Sequence, residues 1–267
     1  DQSSFIDFFI FEKNLKNMKN KLYIVTGGSN GFGRALVFKI LEKNQFVISL
    51  SRSLLPNKDI EMYKDTFFQF KIDFTQSFSS KATHSLKNSI KRMNLKKIDE
   101  VILINNAAIV GPIDRIEKIN EKDISKHMQI NLRAPMTMTR IFLELFSKYK
   151  GHKTVVQITS GAALNPVEGW ALYCAGKAGL NMFNQVLALQ NRGDQNFKAM
   201  GYSPGVMDTN MQKNIRTAKK SQFPQIEDFK RYKNEKQLRP PEYVADDLLR
   251  IMSDWADIET GHTYRVR

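Results

Sequence analysis

The sequence predicts an α/β fold: one doubly wound parallel sheet of about seven strands, flanked by helices. Three observations lead there. Short apolar runs rich in β-branched residues alternate with amphipathic helical patterns along the chain, the order expected of successive βαβ units. The first run, Leu22-Tyr23-Ile24-Val25, passes directly into Thr26-Gly27-Gly28-Ser29-Asn30-Gly31-Phe32-Gly33 and then into a helical pattern with Leu36, Val37, Ile40 and Leu41 on one side. The length of 267 residues, 42% of them hydrophobic, suits one domain with a sizeable core. No internal repeat or inter-domain linker divides it.

Composition narrows the function classes. The single cysteine, Cys174, excludes an intramolecular disulfide framework and permits a reducing compartment, so a cytoplasmic protein is expected. Four histidines without paired spacing give no metal site. No run of eighteen apolar residues offers a membrane span. A formal net charge of +14 raises nucleic acid as a partner. The basic residues are nevertheless spread out (Lys13, Lys16 and Lys19, then Lys87 to Lys97, then Lys213 to Arg239), and aromatics do not interleave with them as a stacking platform requires. Solvated basic faces and a small-molecule substrate are expected, with neither nucleic acid nor membrane as partner. Residues 1–18 read as an N-terminal extension. Its apolar run, Phe5 to Phe11, is too short for a span and lacks the basic start of a signal peptide. The extension is either a dispensable arm or a segment ahead of a natural start at Met18, and the domain proper runs over 19–267.

The glycine loop between strand and helix places backbone N–H groups and a helix N-terminus under a pyrophosphate. The second strand, Phe46 to Arg52, ends about twenty residues past the glycines, where an acid would bind the ribose 2′-hydroxyl of NAD. Ser51, Arg52 and Ser53 stand there instead. A guanidinium pairs with a phosphate and accepts nothing from a hydroxyl, so NADPH is favoured; Arg34 could assist or face solvent. The third strand, Phe67 to Ile72, ends at Asp73, which could accept from an adenine amino group or cap a helix starting near Gln76. The fourth, Glu100 to Ile104, runs into Asn105-Asn106-Ala107-Ala108. Small residues there allow close approach, and asparagine side chains can tie neighbouring strands together.

Residues 122–148 form one long helical pattern with Asn131 inside it and Pro135 four residues later. The proline removes a backbone bond and kinks the helix near Asn131, leaving a polar group and a carbonyl able to hold a water, or simply a polar residue at a kink. Ser160 closes the fifth strand, Thr154 to Ser160, at the sheet end where ligands bind. Tyr173 and Lys177 follow on a helix reaching about Gln190, four apart and so on one face. A phenol titrates near 10, and an adjacent ammonium favours its ionised form. Bringing that value to about 7 takes roughly 4 kcal/mol. Such a tyrosine exchanges a proton with a carbonyl oxygen or an alcohol. The sixth strand, Phe197 to Tyr202, runs into Ser203-Pro204-Gly205-Val206-Met207-Asp208-Thr209, and the polar, basic stretch over about 207–240 reads as a lid of short helices. A helix over Glu242 to Ser253 and a strand over Thr263 to Val266 complete the sheet.

Thr26-Gly27-x-x-x-Gly31-x-Gly33, Asn105-Asn106-Ala107-Ala108, Asn131, Ser160, Tyr173-x-x-x-Lys177 and Pro204-Gly205 together resemble the signature of the short-chain dehydrogenases/reductases, across residues 19–267. Trp170 to Lys177, Gln185 to Leu189 and Ser203 to Gln212 look like the sepiapterin reductase branch, including its bacterial benzil and dicarbonyl reductases. The resemblance implies a Rossmann-type oxidoreductase in which Tyr173 protonates the carbonyl oxygen, Ser160 hydrogen-bonds it, Lys177 holds the nicotinamide ribose and lowers the Tyr173 pKa, and Asn131 holds a water. It places NADPH against Gly27, Ser29, Asn30, Gly31, Phe32, Gly33, Arg52, Asp73, Asn106, Ala107, Pro204, Gly205, Val206, Met207 and Thr209, with Tyr173 and Lys177. Leu164, Trp170, Met207 and Met211 are candidates for an apolar substrate wall, and a homodimer or homotetramer is implied. Two departures stand out. Ala108 occupies a position usually held by glycine, and residues 261–267 lack the acid that anchors substrate in animal sepiapterin reductases, so pterin, small diketone and other ketone all stay open. An NAD-dependent alcohol dehydrogenase of the same fold and a non-catalytic nucleotide sensor are the competing readings.

Overall fold

In a parallel sheet covered on both faces, consecutive strand residues alternate sides and both sides must be apolar. The computed structural model, which describes residues 20–76, 80–92 and 95–267, shows this in β1 (Lys21–Thr26), where Tyr23 and Val25 enter one core and Leu22 and Ile24 the other. The remaining strands are β2 (Phe46–Ser51), β3 (Phe67–Lys71), β4 (Glu100–Asn105), β5 (His152–Ile158), β6 (Phe197–Ser203) and β7 (Thr263–Arg265). They form one parallel sheet in the order β3-β2-β1-β4-β5-β6-β7. The chain therefore reverses its direction of travel between β1 and β4, and the carboxyl ends of those strands open a crevice for ligand.

Helices α1 (Gly31–Leu41), α2 (Ser80–Arg92), α3 (Glu121–Met128), α4 (Ala134–Leu145), α5 (Ala171–Gln190), α6 (Asn210–Ile215), α7 (Ile226–Asn234) and α8 (Pro241–Ile251) surround it. Leu36 and Ile40 of α1 and Val244 and Leu248 of α8 pack on the Tyr23/Val25 side, whereas Ile141 and Phe142 of α4 and Leu187 of α5 pack on the Leu22/Ile24 side. Among the described residues no helix is long and apolar enough to cross a membrane. The extension expected over residues 1–18 lies outside the described residues.

Three expectations are corrected. The pattern over 122–148 is not one helix: α3 and α4 are joined by a π-helical turn, Gln129–Arg133, which contains Asn131. Pro135 is the physical reason, because it has no N–H to offer the Asn131 carbonyl in an α-helical ladder. Asp73 Oδ1 accepts from Thr75 N at 2.9 Å and closes a turn rather than capping a helix, and among the described residues α2 begins at Ser80. Finally, β5 stops at Ile158, and Ser160 caps a single 3₁₀ turn, Gly161–Ala163, by accepting from Ala162 N at 3.2 Å.

Candidate active site

The site assembles at the carboxyl ends of β1, β4 and β5. Thr26, the last residue of β1, accepts the backbone N–H groups of Asn106 and Ala107 on its hydroxyl at 2.9 and 3.0 Å. Asn106 returns its side-chain amide to the carbonyls of Thr26 (2.9 Å) and Gly27 (3.3 Å). These bonds staple the glycine loop to the end of β4, the tie that asparagine chemistry leads one to expect. Gly27 has a φ of +71°, and a Cβ on Gly33 would collide with the Gly27 carbonyl and the Asn106 side chain. Both positions need glycine for the loop to lie this close.

Above the loop, α1 starts at Gly31 with Asn30 as its cap, and Asn30 makes no side-chain capping bond, nor does an acid occupy the first turn. Its first N–H groups are thus unclaimed by side chains, the condition for binding an anion. A cavity of about 490 Å³ lies there, lined by Asn30, Gly31, Asp208, Thr209, Asn210, Lys213, Arg216 and Lys233. Thr209 faces Gly31 and caps α6, and Asp208 pairs with Lys233 of α7 at 2.6 Å, joining the segment after Pro204-Gly205 to the lid. Arg52 is exposed just past β2, and its charge helps hold the Asp73 carboxyl below its usual value, after the larger contribution of the Thr75 N–H bond. Arg34 is committed elsewhere, to Asp59 at 3.3 Å and to the Phe38 ring. A glycine cradle, a bare helix N-terminus and a cationic rim fit a dinucleotide.

Tyr173 and Lys177 project from α5 toward the end of β5, 8% and 3% exposed. Burial pushes the Tyr173 phenol up to about 12, with the Ser160 side chain acting to draw it down. Burial also brings the Lys177 ammonium down to about 8. Its Nζ donates to the Ile158 carbonyl at 2.7 Å and lies 5.7 Å from the Tyr173 ring centroid. The expected lowering of Tyr173 by Lys177 is therefore not what governs the phenol here: desolvation dominates, and the ammonium directs one of its three hydrogens to a carbonyl instead. Asn131 is 1% exposed, and its amide grips the backbone of Ile109 with both ends, Oδ1 accepting from N at 2.9 Å and Nδ2 donating to O at 2.7 Å. The same Nδ2 meets His127 Nε2 at 2.6 Å. With its side chain engaged, only the backbone carbonyl of Asn131 is left for a water.

Beside Tyr173 lies an aromatic box. Trp170 stacks on Phe223 (centroids 5.2 Å apart, planes 6° apart), and Phe229 and Tyr173 meet it edge-on at 5.4 and 5.3 Å. Met211 packs against the same cluster. The wall candidates thus divide: Trp170 and Met211 sit with Tyr173, Leu164 is 64% exposed, and Met207 packs against the core shared by α1 and α8. Phe223, Phe229 and His127 were missed from sequence. The two phenylalanines were signalled only by being aromatic in an otherwise polar lid.

A family model described as short chain dehydrogenase matches residues 21–220. The chain belongs to the short-chain dehydrogenase family. Among its relatives is a benzil reductase, (S)-benzoin forming, of Bacillus subtilis (strain 168), 36% identical over 248 residues, covering 92% of this chain and 98% of that one. A sepiapterin reductase of Rattus norvegicus is 31% identical over 199 residues, 71% of this chain and 75% of that protein. A solved short-chain dehydrogenase/reductase of Saccharomyces cerevisiae superposes with a TM-score of 0.79 at 28% identity, covering 93% of this chain and 96% of that one. As a member of the short-chain dehydrogenases, the chain is an oxidoreductase of a family that binds nicotinamide cofactors.

Proposed function

We propose that this short-chain dehydrogenase is an NADPH-dependent carbonyl reductase that delivers hydride to a ketone or dicarbonyl, with Tyr173 as proton donor. The observation that carries this reading is the buried Tyr173 phenol, held protonated through neutral pH, lowered in part by the Ser160 side chain and one helical turn from Lys177. The bound nicotinamide supplies the hydride. Ser160 donates to the carbonyl oxygen and stabilises the negative charge that grows there. Tyr173 gives its phenolic proton to that oxygen, and the Lys177 ammonium stabilises the phenolate left behind. The Asn131 carbonyl, deprived of its helical donor by Pro135, holds the water that returns a proton.

Arg52, exposed at the end of β2 and without a hydrogen bond or ion pair among the described residues, supports a 2′-phosphate and so NADPH. The aromatic box supports an aryl ketone or diketone, in keeping with the name of the Bacillus subtilis relative, and residues 261–267 offer no carboxylate to anchor a pterin. The test is NADPH oxidation followed by absorbance against benzil, sepiapterin and simple aliphatic ketones, with NADH for comparison. Benzil turnover with NADPH preferred is expected, and no turnover across the panel overturns the reading. Arg52→Asp should shift the NADPH:NADH preference by about tenfold or more toward NADH, the scale of one lost charge-assisted bond. An unchanged ratio removes Arg52 from the cofactor site.

A further inference from the structure

We propose that His127 is a positioning residue: as a neutral imidazole carrying its proton on Nδ1, it locks the Asn131 amide and the segment after β4 into one wall behind Tyr173 and Lys177. The inference rests on the reductase reading above. Its basis is a hydrogen-bond account that closes in one way only. The Asn131 Nδ2 has two hydrogens; one goes to the Ile109 carbonyl at 2.7 Å and the other to His127 Nε2 at 2.6 Å. A donor needs a lone pair opposite it, so Nε2 carries no proton. Nδ1 then carries it and donates to the Gly111 carbonyl at 2.9 Å. Turning the Asn131 amide over would set its oxygen against the Ile109 carbonyl and its hydrogens against the Ile109 N–H, losing two bonds to save one.

The clasp joins three pieces of the site. His127 closes one turn of helix onto Asn131, at the point where α3 gives way to the π-helical turn. Through Ile109 and Gly111 the same two side chains hold the segment that follows the Asn106-Ala107 cradle. On the third side, His127 meets the Tyr173 ring edge-on (6.4 Å, 88°), and Gly176 of α5 packs so closely that a Cβ there would lie 3.3 Å from Asn131 Cβ. His127 itself is fully buried. The titratable groups facing it are Tyr173 and Lys177, both on α5; the 109–111 segment presents backbone, and Asn131 is neutral. Burial first and the Lys177 charge second hold the imidazole below its ordinary pKa, against the Gly111 bond. Protonation at Nε2 would set N–H against N–H and open the clasp.

The test uses the full chain with His127→Leu, which removes both bonds, and His127→Gln, which keeps an acceptor and a donor. Read together are benzil-reduction kcat across pH, the NADPH Kd from fluorescence, and the ¹⁵N imidazole shifts of the wild type. The expected results are an Nδ1–H tautomer at pH 7, a kcat at least tenfold lower in His127→Leu with Kd changed less than threefold, and recovery of most of that loss in His127→Gln. The wild-type kcat should also fall on the acid side, below the ordinary histidine range, and His127→Gln should lose that limb. A protonated or Nε2–H ring at pH 7, a wild-type kcat in His127→Leu, or an unchanged acid limb in His127→Gln overturns the proposal. Should His127→Leu fail to fold, the tautomer and the His127→Gln profile decide. A wild type that binds no NADPH and reduces no ketone refutes the reductase reading instead, and the imidazole shifts still report the clasp directly.

Discussion

Tyr173 and Lys177 stand one turn apart, and burial drives their titrations apart, the phenol up to about 12 and the ammonium down to about 8. In the reductive direction the protonated phenol is the working form, so Tyr173 is ready as a donor through the whole neutral range. Lys177 then sets the alkaline limit. Below about pH 8 it carries the charge that stabilises the departing phenolate; above it the charge is lost and reduction slows. A kcat profile flat through neutrality and falling with a midpoint near 8 is expected, and Lys177→Met should abolish that alkaline limb along with most of the rate. A profile that stays level to pH 10 contradicts the assignment. Tyr173→Phe removes the proton but leaves ring packing against Trp170 intact, so kcat should drop by about a hundredfold or more while NADPH binding changes little. Retention of full turnover would show that another group donates.

Among the elements, α1 and its glycine loop were the most legible, because strand, glycines and helix follow one another without a gap and each glycine answers to a steric need. Gly33 makes the point quantitatively. It lies inside a helix, where alanine is favoured by about 1 kcal/mol on propensity alone. The methyl would, however, collide with the Gly27 carbonyl and Asn106, an overpacking cost of about 1–3 kcal/mol. Gly33→Ala should therefore lower Tm rather than raise it, and weaken NADPH binding as the cradle shifts; a raised Tm would mean that the loop yields freely. The α3–α4 junction was half legible. Pro135 announces a lost bond at Asn131, but hydrophobic periodicity runs on through a π-helical turn and reads as one helix. His127 was not legible at all, since it acts through the backbone carbonyl of Gly111 and, by way of Asn131, through the backbone of Ile109, neither of which has a signature in sequence. The dominance of burial over the Lys177 charge was hidden for a related reason: it depends on how densely β5 and the 3₁₀ turn close over the pair.

At the scale of the molecule, the net charge of +14 and the surface of α5 pull against each other. Like charge on two copies opposes association. Yet the exposed positions of this 20-residue helix (Ala171, Ala175, Ala178, Met182, Gln185, Val186, Leu189 and Gln190) include no charge at all, in a chain where 25% of residues are charged. Met182 and Leu189 are 60% and 66% exposed and two turns apart, so one apolar stripe runs along the helix whose inner face carries Tyr173 and Lys177. We propose that a second copy covers this stripe. Burying two such side chains on each copy, at about 1.5–3 kcal/mol apiece, supplies several kcal/mol, and the small alanines let helices approach closely. The face carries no charge to be screened, so added salt should strengthen association by shielding the remaining surfaces. Light scattering coupled to size exclusion should give at least a dimer at micromolar concentration. Met182→Glu with Leu189→Glu would set four carboxylates into the contact, and should shift the mass to that of a monomer while the far-ultraviolet circular dichroism is retained. An unaltered mass in that double variant would place any interface elsewhere.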